Sequence, residues 1–175
     1  MNIITDAIVS ELKQPKVSVI LAKYQASDNA KALLHPNPDW QPNMAVSQLV
    51  ENDLPHDAIQ LIAHGLPVMT AIRWGLSVLS NNDRIAAENA AILECVANWL
   101  SSPNETMRIR AQQLAERVGL DTAAGWLGYA VFWSGTGSIV APELPVVMPP
   151  DNMVGHAINA AILLSLVEKK IVQVE

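Results

Sequence analysis

This chain of 175 residues predicts an all-α fold, a single compact domain of about six to eight helices. Three observations carry that expectation. From residue 42 onward apolar side chains recur at spacings of three and four, and prolines and the glycines at 65 and 119 punctuate the periodic runs. Period-two alternation is missing apart from a weak hint at Ile171 to Val174. A chain of this length suits one ordinary domain that buries roughly two thirds of the surface its unfolded form exposes. It divides into a less regular N-terminal part, residues 1–43, and a helical core, residues 44–175.

In the N-terminal part, short helices are expected over Thr5 to Leu12 and Val17 to Ala26, with Ser27 to Leu34 as a continuation. The stretch HPNPDWQPN, His35 to Asn43, is a loop, because residues before proline avoid helical geometry. A helix near Met44 to Glu51 follows. Asp53 is the expected cap of a helix carrying His56 to Ala63, which Gly65 ends, and Pro67 stands at the first position of the next. A turn at Ser80 to Asp83 leads into one helix over Arg84 to Leu100. In SSPNE, Ser102 and Glu105 have capping-box spacing with Pro103 between them. The helix they open carries Met107, Ala111, Leu114, Ala115 and Val118 on one apolar face and closes at Gly119. Asp121 is the expected cap of a helix whose Trp126, Tyr129 and Trp133 form one aromatic stripe, expected in the core. The last helix runs from Asp151 to about Val172.

Composition excludes several functions. The net charge is −6, acidic residues are spread along the chain, and the few basic ones form no patch, which disfavours nucleic acid and anionic membranes as partners. Asp6 and Glu11 come too early for a secretory signal, so the chain is expected to start as written. The uncharged run Thr122 to Pro142 reaches 21 residues, but glycine, serine and threonine break it, and no membrane insertion is expected. The single cysteine, Cys95, lies in the apolar stretch AAILECVANWL and reads as a buried, inert thiol in a reducing cytoplasm.

The candidate chemical motifs fail on inspection. In SGTGS, Val140 stands where a third glycine would be needed, an aromatic helix precedes the loop, and no lysine follows, so neither a dinucleotide nor a nucleotide cofactor is expected. Ser134 lacks a nucleophile elbow because Phe132 replaces its first glycine. None of the four histidines, at 35, 56, 64 and 156, has a partner at i, i+4, so no metal is expected. Glu88 and Glu94 read as exposed glutamates. No cofactor and no catalytic residue are expected.

PELPVVMPP, Pro142 to Pro150, is a different matter. Its four prolines forbid a helix and remove ladder donors, so an extended strap is expected between the last two helices. Leu144, Val146, Val147 and Met148 on it are apolar. They lie either across the domain's own helices or against a partner protein.

LPVMTAIRWG (66–75), ANWLSSPNETMR (97–108) and FWSGTGSIVAPELPVVMPP (132–150), followed by HAINAAILLSLV, resemble a family of small proteobacterial proteins that share a domain of unknown function. This chain departs from that pattern in having Arg73-Trp74 where a tryptophan pair is usual, and in one extra residue in its Ser-Gly-Thr-Gly-Ser stretch. The resemblance implies an accessory or adaptor role beside type VI secretion, and it carries over no catalytic residue. The expected function is therefore a cytoplasmic, non-enzymatic interaction protein, an adaptor or chaperone for another protein such as a secretion component, with self-association open. The alternative is a helical enzyme or small-ligand binder whose site gathers His56, Asp57, His64 and Arg73.

Overall fold

The computed structural model describes residues 2–174, so Glu175, the last residue of the expected core segment, lies outside it. Eleven helices occur among the described residues, and no strand. They are α1 (Asp6–Val9), α2 (Val17–Leu21), α3 (Asp28–Leu34), α4 (Pro42–Glu51), α5 (Pro55–Gly65), α6 (Val68–Ser80), α7 (Asp83–Glu88), α8 (Ala90–Ser101), α9 (Glu105–Val118), α10 (Ala123–Phe132) and α11 (Met153–Val174). Ile171 to Val174 is helix, not strand.

The count exceeds six to eight because short polar side chains end helices where periodicity alone would run on. Ser27, in extended backbone, accepts from the Ala30 amide at 3.1 Å and starts α3 anew. Asn82 caps α7 in the same way, accepting from Ile85, and Asn89 leaves helical geometry and divides α7 from α8.

Three expected caps move. Ser102 closes α8, and it is Asn104 that accepts from the Met107 amide at 2.9 Å and opens α9; Pro103 therefore precedes the helix. Thr122, not Asp121, caps α10 through the Gly125 amide. Asp53 sits at φ 60° and belongs to the end of α4: its amide bonds the Val50 carbonyl and the Leu54 amide bonds that of Leu49, a Schellman closure. Pro55 then begins α5 with no side-chain cap. At the last helix, Asn152 has φ 74° and α11 begins at Met153.

The core lies where α11 packs against α5, α6 and α10, with α9 on the far side of α10. Leu61 and Ile62 of α5, Ile72 and Leu79 of α6, Leu127 and Val131 of α10, and Ile158 and Ile162 of α11 are fully buried. Each such side chain contributes about 1.5–3 kcal/mol. α10 is apolar over most of its surface because α6, α8, α9 and α11 pack against it, which explains its membrane-like composition. No helix among the described residues is long and apolar enough to cross a membrane. The aromatic stripe is not core. Trp126, Tyr129 and Trp133 stay half-buried at the rim, with Tyr129 and Trp133 rings 4.9 Å apart.

Candidate functional site

Glu105 and Arg108 stand three residues apart in the first turn of α9, and Arg108 shares the inward stripe of Ala111 and Ala115. An arginine 1% exposed must have its charge and its donors matched. They are matched. Nε and Nη2 donate to the two Glu105 carboxylate oxygens at 2.8 and 2.6 Å, Nη1 to the Phe132 carbonyl at 2.7 Å, and Nη2 also to the Ser138 carbonyl at 2.9 Å. The guanidinium also lies 4.7 Å from the Phe132 ring centroid. These bonds hold the Glu105 carboxyl below its ordinary range. Gly137 completes the fit, since a Cβ there would stand 2.5 Å from Nη2. Sequence reasoning passed over Arg108, although its i, i+3, i+7 register with Ala111 and Ala115 already marked it as inward-facing.

Arg108 thereby fastens both the end of α10 and the segment that follows it. The next fastening is at Ser138, whose Oγ accepts from the Val147 amide at 3.0 Å and the Val140 amide at 3.3 Å, while the Ile139 amide donates to the Val147 carbonyl at 2.8 Å. A turn closed by Leu144 N–H on Ala141 C=O lies between. The Pro-rich segment connects the last two helices, and bonds across its base close it into a loop. With so few N–H groups left by its prolines, it closes through the donors that remain, and it turns its apolar side chains outward. Leu144, Val146, Val147 and Met148 are 54, 74, 45 and 48% exposed. Ser134 serves the turn; its hydroxyl pairs with Thr136 at 3.1 Å.

A second locus forms at the base of this loop. A cavity of about 180 Å³ is lined by Lys23, His64, Trp133 to Gly135 and residues 149–155. His64, at the end of α5, is 4% exposed, and neither ring nitrogen has a hydrogen-bond partner. Tyr24 stacks on its face at 4.6 Å and His156 meets its edge at 4.7 Å. Burial, with His156 and Lys23 adding like charge, pushes the imidazole down to about 4. Burial and the nearby Asp57 carboxylate push the Tyr24 hydroxyl up.

The four residues of the expected alternative site do not line one cavity. His64 lines this one; His56 is exposed beside Ile3 and Ile59; Asp57 accepts from the Ser27 amide at 3.4 Å; Arg73 is exposed on α6. Asp57 and His64, both on α5, each act on Tyr24, the first through its charge and the second by stacking. Cys95 is buried as expected, and burial raises its thiol. Glu88 pairs with Arg84 at 3.2 Å, and Glu94 is exposed on a different helix. No group of three histidine, cysteine or carboxylate side chains gathers as a metal site among the described residues.

What this geometry defines is an all-helical domain that holds out a clamped apolar loop beside a small cavity lined by Lys23 and His64. A family model described as a family of unknown function, DUF6931, matches residues 45–174, and the chain belongs to that family. No curated protein and no solved structure matches it.

Proposed function

We propose that this protein is a non-enzymatic interaction module that docks another protein on the loop Leu144–Met148. One observation carries the reading: four apolar side chains stand 45–74% exposed on a loop whose base is tied by Arg108, Ser138 and the Ile139–Val147 bond. Apolar surface that a monomer leaves open is characteristic of a binding site, and a loop already ordered loses less entropy when its partner arrives. The resemblance to proteobacterial proteins encoded beside type VI secretion genes supports a cytoplasmic adaptor or chaperone for a secretion component as the finer form of this role.

The test is a comparative pull-down from native lysate with mass spectrometry, using wild type and a Val146→Asp, Met148→Asp double variant. Because both side chains face solvent, the variant should melt with wild-type stability and lose the captured partner. Identical capture by the two proteins refutes the docking loop. Sedimentation velocity on the same pair covers the case in which the partner is a second copy of the chain.

A further inference from the structure

We infer that the cavity at the base of the loop binds a small oxyanion of the size of phosphate or a short carboxylate. Three independent features converge there. The first is charge: the Lys23 ammonium lines the cavity and forms no ion pair with a carboxylate among the described residues.

The second is the start of α11. The first amides of a helix have no carbonyl within it to bond, and the cavity is lined by Asn152, Met153, Val154 and Gly155. No side chain among the described residues accepts from the amides of 153, 154 or 155. A helix start of this kind, with its N–H groups and dipole, favours an anion.

The third is His64 itself. A buried imidazole with both nitrogens unpartnered is costly unless something else satisfies it. Its Nδ1 points at the first turn of α11, for a Cβ added to Gly155 would collide with that atom. Glycine at 155 is what lets ring and helix start approach the same space. An oxyanion there accepts from the imidazole N–H, from backbone amides of α11 and from the Lys23 ammonium, whose Nζ already lies 3.3 Å from the His64 carbonyl. A volume of about 180 Å³ admits an ion of a few heavy atoms and is below the usual range for larger organic ligands. Asp151 also lines the cavity, but it is exposed, so solvent screens its opposing charge.

Inorganic phosphate and acetate, titrated separately into labelled protein and followed by nuclear magnetic resonance, test the inference. Expected are saturable shifts of the Gly155 amide and of the His64 ring nitrogens for at least one ion. Lys23→Met, whose fold is checked by its melting curve without added ion, should weaken binding by about tenfold, as loss of one charge-assisted bond does. Absence of saturable shifts with both ions overturns the site, and so does equal affinity in Lys23→Met. The Val146→Asp, Met148→Asp variant should bind the ion as wild type does, so failure of the docking loop and failure of the anion site are read apart.

Discussion

Replacing Arg108 by alanine removes a side chain that ties α9, the end of α10 and the loop together. The cost follows from what is left behind. The Phe132 carbonyl loses its 2.7 Å donor in a buried position, and the Ser138 carbonyl loses its 2.9 Å donor in a half-buried one. A buried group stranded without its partner costs about 1–3 kcal/mol. Glu105, whose side chain is 61% exposed, returns to water and adds little. With the lost contact to the Phe132 ring, the total comes to about 3–5 kcal/mol, the size found when one member of a buried pair is deleted. In a domain of this size that lowers Tm by about 6–20 °C. Urea unfolding with unchanged slope is the assay, joined by amide exchange at Ile139, which should accelerate as the loop loosens. Arg108→Lys should recover only part of the loss, because an ammonium cannot present the guanidinium's planar fork to three acceptors. An Arg108→Ala protein within about 1 kcal/mol of wild type, with Ile139 still protected, would refute the clamp.

Asn104→Ala should cost about 1 kcal/mol by urea unfolding, and Ser102→Ala much less, since Asn104 is the residue that caps α9. Stability should also fall on mild acidification through His64. Its imidazole is lowered from 6.5 to about 4 in the fold, so between those values the unfolded chain binds a proton that the folded chain refuses. The His64 contribution is full above pH 6.5 and declines by about 3 kcal/mol by pH 4. A His64→Gln variant with the same pH slope as wild type would contradict it. Gly155→Ala should destabilise by about 1–3 kcal/mol, because the new methyl meets the His64 ring; an unchanged melting curve would show that ring and helix are not in contact.

Some of this protein could be read from residues in order along the chain. Helix is a local structure, closed by bonds four residues apart, so the periodicity of α4 to α6 and α9 to α11, the stop at Gly119 and the burial of Cys95 were legible from spacing and punctuation, whereas the break at Asn89 between α7 and α8 was not. Local reading still erred by one or two residues at the caps, because Ser102, Asn104, Asp121 and Thr122 are all competent and the backbone chooses among near neighbours. Only the tertiary structure decided the rest. Arg108 meets carbonyls 24 and 30 residues away, and the cavity joins Lys23, His64 and the start of α11, contacts that no local pattern encodes. Whether Leu144 to Met148 are covered or open was likewise undetermined by their hydrophobicity, which is the same in either place. Their exposure depends on where Arg108, Ser138 and the Ile139–Val147 bond fasten the loop, and those are interactions made across the fold.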